Sequence, residues 1–309
     1  MPLDVTPPRV AITICTFRRP SHLGTLLRSL DALGFEKCCP PHVEIHVIDN
    51  DAEESARPIV EDAAHRHRFP LRYIVEPRRG LSSVRNAALD AAADFDFLAF
   101  VDDDEVVEPQ WLDELLVVAD RQSAQFVIGP VRPVYPEDCP GYLRDSGLYS
   151  RLEHSDGARI DTGNTGNALL RMAFLKDKSI RFREDFELSG GEDACFFAEL
   201  AAAGGTGAYA ANAIAHEPVS VDRLSIAWLM KRRYRFGTTE VRQALIASRP
   251  TKSLPLAFAA HGVLRIVAAL VLTTAVLPFS RAKALRYACA GARGAGYLAG
   301  ALGFNAREY

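Results

Sequence analysis

Phe97-Leu98-Ala99-Phe100-Val101 runs directly into four carboxylates, Asp102-Asp103-Asp104-Glu105. A short continuous apolar run reads as a buried parallel strand, and ligands of open α/β sheets collect at the strands' carboxyl ends. Like charges a few ångströms apart repel unless protons or a cation relieve them, and hard oxygen donors suit Mg²⁺ or Mn²⁺. A divalent ion bridging these acids to a phosphate is one chemistry the run can support. A solvated acidic turn capping the helix that begins near Pro109 is the other. The register is open, because alternation places Asp103 and Glu105 on the opposite strand face from Asp102 and Asp104. Glu192-Asp193, ahead of an Ala/Phe-rich stretch, offers a general base for a hydroxyl nucleophile, or else a charge pair complementing the helix macrodipole. Gly80-Leu81-Ser82-Ser83-Val84-Arg85 combines a glycine, a hydroxyl-bearing helix start with free N–H groups, and an arginine one turn inside. That suits a diphosphate or ribose, or simply a capped surface helix.

Strands and helices must alternate to hold these groups. Residues 9–16 and 43–49 are β-branched apolar runs, and between them Leu23, Leu26, Leu27, Leu30 and Leu33 recur at helical spacing. That is a βαβ opening. Leu71–Val75 forms a third run, Val84–Ala93 a helix, Phe97–Val101 a strand and Trp111–Ala119 a helix. The alternation predicts a mostly parallel sheet with right-handed crossovers. From Phe126 to about Arg183 short strands and Gly/Pro-rich loops follow, then a helix over Asp193–Ala203. The chain has 309 residues, 48% hydrophobic and 24% charged, enough for a substantial core. A net charge of -3, with no Lys/Arg run interleaved with aromatics, excludes nucleic acid as the expected partner. Six cysteines without a CxxC pair read as reduced thiols rather than a zinc site. Met1–Arg9 has none of the charge and apolar pattern of a signal peptide, so the body is expected in the cytosol.

Several segments, in order, resemble inverting glycosyltransferase family 2, of the bacterial exopolysaccharide or succinoglycan type, over about residues 9–237. Val10 to Pro20 resembles its opening strand and nucleotide-binding turn, with Thr16 and Arg19 matching and Arg18 standing where the family often has Asn. Asp49, in Val47-Ile48-Asp49-Asn50-Asp51, looks like the carboxylate that reads the nucleobase, although an acid at a strand tip equally caps the next helix. Gly80 and Arg85 resemble the family's Gly-x-x-x-Ala-Arg-Asn segment, which implies donor binding. Asp102-Asp103-Asp104 resembles its Asp-x-Asp motif, implying Asp104 as direct metal ligand and Asp102 and Asp103 on the donor side. Thr162-Gly163-Asn164-Thr165-Gly166-Asn167 matches the glycine-rich loop beside the acceptor, so Gly163, Asn164, Gly166 and Asn167 are expected there with Glu192. Glu187-Leu188-Ser189-Gly190-Gly191-Glu192-Asp193 is similar to the Glu-Asp segment whose second acid is the base, here Asp193. His216 stands where many such folds place a metal-side histidine, though a lone histidine is also a common structural residue. Arg232, Arg233 and Arg235 could clamp the diphosphate, arginine forks being suited to phosphate oxygens.

The resemblance implies an α/β, Rossmann-like nucleotide-diphospho-sugar transferase (GT-A) fold over 1–250, with a donor half to about 105 and an acceptor half from 106. It implies a metal-dependent transfer of one sugar from a UDP- or GDP-sugar to a glycan or lipid-linked glycan. The Gln and Trp of processive synthases are missing from Lys231 to Phe236, which favours single transfer over polymerisation. Residues 251–309 form an apolar helical tail. His261 and Arg265 interrupt Leu254–Phe279 and leave about 14 uninterrupted residues, Ile266–Phe279. A second segment, Ala284–Phe304, is rich in Gly and Ala. Together they predict a helical hairpin on or dipping into the cytoplasmic face of the inner membrane, with a spanning helix rescued by snorkelling of Arg265 and a soluble packing or oligomer surface as the alternatives. Two other readings compete: nucleotidyltransfer, which lacks its glycine-rich basic opening here, and a catalytically degenerate, membrane-bound scaffold of a polysaccharide assembly complex.

Overall fold

The computed structural model describes residues 6–186, 190–247 and 253–304. Met1–Val5 of the terminus, Glu187–Ser189 of the acidic segment and the expected division at 250/251 lie outside the described residues. The chain forms two compact units: Met1–Arg132, Arg151–Glu187 and Glu192–Glu217 make the first, and Pro133–Ser150, Leu188–Gly191 and Pro218–Tyr309 the second.

In chain order the elements are β1 (Arg9–Thr16), α1 (Pro20–Asp31), β2 (His42–Asp49), α2 (Arg57–Ala64), β3 (Leu71–Val75), α3 (Leu81–Ala91), β4 (Phe97–Asp102), β5 (Val106–Val107), α4 (Trp111–Arg121), β6 (Phe126–Ile128), β7 (Val131–Val134), α5 (Gly141–Arg144), β8 (Arg159–Ile160), β9 (Asn167–Arg171), α6 (Met172–Lys178), α7 (Glu192–Ala202), β10 (Gly207–Tyr209), β11 (Ala215–Pro218), α8 (Ile226–Ala247), α9 (Ser253–Val276) and α10 (Arg281–Ala301). The main sheet orders its strands β3-β2-β1-β4-β9-β6-β10-β8. The first four are mutually parallel, and β9 runs antiparallel to both β4 and β6. The expected mostly parallel α/β architecture is what forms.

Continuous apolar runs arise because each central strand is covered on both faces. Val10, Ile12 and Ile14 of β1 and Phe97, Ala99 and Val101 of β4 face one core with Leu23, Leu26, Leu27 and Leu30 of α1 and Trp111 and Leu112 of α4. Ala11, Leu98 and Phe100 face the other with Val84 and Ala88 of α3, Leu175 of α6 and Phe196 and Phe197 of α7. The parallel register then sets chemistry at one sheet edge: Thr16 pairs with Asp49, and Cys15 with Asp102.

The second unit is built on α8, α9 and α10. α9 and α10 form an antiparallel hairpin in which Thr273 Oγ1 donates to the carbonyl of Ala284 at 3.5 Å, and Ser280 caps α10 by accepting from the N–H of Lys283 at 3.3 Å. Glycines permit the close approach: a Cβ on Gly262 would lie 2.6 Å from the Gly294 carbonyl, and one on Gly296 would collide with the Tyr234 carbonyl of α8. Leu143 and Tyr149 pack with Leu229, Leu285 and Cys289 as a small core. Among the described residues α9 is the one helix long and apolar enough to cross a membrane, over Leu254–Val276 with a mean hydropathy of 2.0. It exceeds the 14-residue run visible in the sequence, and Arg265, the apparent interruption, lies over the Tyr297 ring at 5.5 Å.

Candidate active site

The ends of β1, β2 and β4 supply the donor-side candidates. Thr16 Oγ1 donates to Asp103 Oδ2 at 2.7 Å, and Arg19 Nη1 reaches Asp103 Oδ1 at 3.2 Å and Asp104 Oδ2 at 2.9 Å. Thr16, Arg19, Asp103 and Asp104 therefore meet in one network. Arg18 takes a left-handed backbone, φ 55°, and grips Asp51 with two bonds of 3.0 and 3.2 Å. Those bonds hold the Asp51 carboxyl below its usual range. Asp49 is fully buried and accepts from the N–H groups of Asp51 and Ala56, each at 2.9 Å, and from the Tyr73 hydroxyl at 2.7 Å. Its carboxylate thus ties the turn after β2 to the N–H of Ala56, just ahead of α2. Asn50 Nδ2 donates to the carbonyls of Glu76 (2.8 Å) and Arg78 (2.7 Å), while Gly80 N–H donates back to Asn50 Oδ1 at 3.0 Å. Gly80 has φ 143°, a conformation that side chains rarely adopt, so this glycine sets the entry into α3. Sequence reading passed over Asn50; an amide at a strand tip, with donors and an acceptor to satisfy, was the available signal.

The carboxylates of the 102–105 run differ sharply in environment. Burial, opposed by Arg85, pushes Asp102 up to about 7. Burial also raises Asp103, against the bond from Thr16. Glu105 lies well above the usual carboxylate range through burial and the neighbouring Asp102. Its Oε1 is buried without a hydrogen-bond partner. Gly166 closes over this group: a Cβ there would stand 2.7 Å from Glu105 Oε1, 3.0 Å from Asp102 Oδ2 and 3.2 Å from Arg151 Nη1. Arg151 in turn donates to Asn164 Oδ1. Buried, underpaired carboxylate oxygen fits a bound cation, whose charge would replace the missing donors.

Glu192 and Asp193 open α7, and Arg85 of α3 reaches both, pairing with Glu192 and lying 2.8 Å from Asp193 Oδ1. Sequence placed Arg85 at the donor diphosphate; its side chain here is 9% exposed and paired with these two acids. Thr165 completes the setting, its N–H 3.3 Å from Asp193 Oδ2 and its hydroxyl 3.2 Å from either oxygen. Burial raises Glu192, with Arg85 opposing. The end of β1 belongs to the same neighbourhood, where burial pushes the Cys15 thiol up to about 12.

The other expected residues have these surroundings. Asn167 is fully buried with its amide spent on the carbonyls of Pro130 (2.9 Å) and Ala213 (2.7 Å) and its Oδ1 on Trp111 Nε1 (2.8 Å). Gly163 lies where a Cβ would press on Ile128 and Phe197. His216 sits opposite Val106 in the β5–β11 pair, its Nε2 3.0 Å from Glu108 Oε1. Among the described residues no group of three or more His, Cys, Asp or Glu side chains is gathered as a metal cage. Arg232, Arg233 and Arg235 belong to the second unit, where Arg232 lies over the Trp228 and Phe236 rings and Arg233 donates to the Leu148 carbonyl at 2.8 Å.

A family model described as "Glycosyl transferase family 2" matches residues 11–182. Over 307 residues the chain is also 39% identical to the succinoglycan biosynthesis protein ExoM of Rhizobium meliloti (strain 1021), covering 97% of this chain and 94% of that protein. The chain belongs to glycosyl transferase family 2. Two solved structures share the fold at low identity. The mannosyltransferase PcManGT of Pyrobaculum calidifontis, in complex with GDP-Man and Mn²⁺, superposes with a TM-score of 0.67 at 19% identity over 97% of this chain and 90% of that one. TarS 1-349 of S. aureus, in complex with UDP-GlcNAc, gives 0.55 at 18% identity, over 92% and 90%. In this family 2 glycosyltransferase the matched segment spans Thr16, Arg85, Asp102 and Thr165, whereas Glu192 and Asp193 lie beyond it.

Proposed function

We propose that this glycosyltransferase moves one sugar, with inversion, from a UDP- or GDP-linked donor to a glycan or lipid-linked glycan in exopolysaccharide assembly. The observation that carries the reading is the fixed carboxylate of Asp193, held by Arg85 and by both donors of Thr165 beside the acid-lined strand end. An acceptor hydroxyl is a poor nucleophile until its proton leaves. Asp193 takes that proton as the oxygen bonds to the anomeric carbon, and the bond from that carbon to the diphosphate oxygen breaks on the opposite side. Arg85 and Thr165 keep the carboxylate from rotating away, which preserves the attack geometry. Asp104 with Asp102, or Glu105 through its unpartnered Oε1, would hold a divalent ion. Bound there, the ion would neutralise charge on the departing diphosphate.

The donor class and metal draw support from the GDP-Man and Mn²⁺ of PcManGT and the UDP-GlcNAc of TarS, and the pathway from the succinoglycan role of ExoM. The exposed apolar helix α9 supports work at the cytoplasmic membrane face, where lipid-linked acceptors reside. Calorimetric titration of UDP, GDP, dTDP and CMP with and without Mn²⁺ tests the reading. Metal-dependent binding of UDP or GDP by the native protein, lost in Asp104→Ala, is expected; binding of neither diphosphate would sink it.

A further inference from the structure

α9 has two unlike faces. Toward α10 it turns Gly262, Arg265, Ile266, Ala269 and Thr273, and this seam runs the length of the hairpin. Away from α10 it presents Leu256, Val263, Leu264, Val267, Leu270 and Val271 at i, i+3, i+4 spacing, each half exposed or more. Arg265, the one Lys, Arg, Asp or Glu between Leu254 and Val276, is on the seam side, over Tyr297.

α10 cannot accompany α9 through hydrocarbon. Its Arg293 Nε and its Tyr297 hydroxyl bond Glu240 of α8 at 3.2 and 2.6 Å, and Arg286 Nε donates to the Ser146 carbonyl at 2.5 Å. A spanning α9 would carry these charges to bilayer depth, where ionised side chains are costly, or strip the glycine-packed seam. The charge pattern names the surface. From Val241 to Arg307 the sequence has nine Lys and Arg residues and no Asp or Glu, between Glu240 and Glu308; Arg265, Arg286 and Arg293 turn to Tyr297, the Ser146 carbonyl and Glu240, which leaves six others to supply the basic charge. A basic segment around an uncharged apolar face complements an anionic leaflet.

We infer that α9 is an in-plane anchor: its outer face enters the interfacial layer of an anionic leaflet, and the α9–α10 hairpin does not cross the bilayer. This rests on the membrane reading above and specifies its mode. The test uses the full chain in two assays. In flotation with phosphatidylglycerol/phosphatidylethanolamine vesicles the protein binds, and Val267→Asp/Val271→Asp partitions about 100-fold less, about tenfold per exposed valine. Pure phosphatidylcholine vesicles bind it more weakly. In membranes of expressing cells, a Ser280→Cys variant reacts with an impermeant maleimide above the parent level in inverted vesicles and not in intact spheroplasts. Labelling in spheroplasts, with vesicle binding retained, overturns the in-plane mode and leaves the membrane reading standing. Loss of all vesicle binding by the parent overturns both. Absent vesicle binding together with a dimer that the double substitution dissociates assigns the face to a second copy and overturns the proposal.

Discussion

Arg85→Met separates two roles that one arginine could play. Arg85 is buried between Glu192, 4% exposed, and Asp193, whose side chain is 22% exposed. Deleting one partner of a buried ion pair costs about 3–5 kcal/mol, because the remaining charge is stranded. Asp193 regains some water, so the lower end, about 3 kcal/mol, is the expected loss at pH 8. Glu192 has no comparable escape, its Oε2 being already buried without a hydrogen-bond partner. Its carboxyl is raised by burial above the ordinary 4.5, with Arg85 opposing, so removing Arg85 raises it further. A group raised in the folded state contributes stability that is fully present below its unfolded pKa and lost as pH rises through its folded pKa. The deficit of the variant is therefore smallest near pH 5 and grows toward pH 8. Urea unfolding followed by Trp111 fluorescence in a Trp228→Phe background reads the first unit directly, since these are the two tryptophans. Equal deficits at pH 5 and pH 8, or less than about 1 kcal/mol at pH 8, would refute the pairing as the source of the effect. Nucleotide titration provides the second arm. As a residue that positions Asp193, Arg85 leaves the nucleotide Kd within about threefold while kcat falls at least about 100-fold. A diphosphate clamp gives the converse: a weakened Kd with the folded state intact.

Asp193→Asn keeps the shape and one acceptor oxygen but puts an NH2 in place of the other, loses the charge facing Arg85 and cannot take the acceptor proton. Transfer is expected to fall about 10²–10⁴-fold with donor affinity unchanged, and turnover near the native rate removes Asp193 from the mechanism. Gly166→Ala drives a methyl to 2.7 Å from Glu105 Oε1 and 3.0 Å from Asp102 Oδ2, both on buried acids. Overpacking of this kind costs roughly 1–3 kcal/mol. The Mn²⁺-dependent part of nucleotide binding is expected to weaken about tenfold, the equivalent of 1.4 kcal/mol; native metal affinity in the variant would detach Glu105 and Asp102 from the ion.

Local pattern carried the strands, the helices and the acid run, because burial on both faces of a parallel strand writes itself as an unbroken apolar segment, as in Phe97–Val101. Side-chain partnerships were less legible. Arg85 and Asp193 are 108 positions apart and meet because α3 and α7 cover the same sheet face. Asn167 resembled a loop residue, yet the register of β9 beside β4 buries it under Trp111. Arg265 looked like a break in an apolar run, but a helix distributes residues by angle, and one turn points it at α10.

The same distinction between order and environment bears on the proposed choice of Asp193 over Glu192 as the acid that meets an acceptor. Chain order and resemblance favour the second. The structure supplies an independent reason: both begin α7 and both touch Arg85, so helix dipole and ion pair act on each. What separates them is water. Glu192 points into the interior, where burial favours its protonated form, while Asp193 keeps an open flank and takes its orientation from Thr165. Adjacent carboxyls in unequal surroundings divide into one that anchors and one that exchanges protons. Asp193 is the more exposed of the two, 22% against 5% for the side chains, so on the proposed role Glu192→Gln is expected to be far milder for turnover than Asp193→Asn even though it disturbs the more deeply buried group.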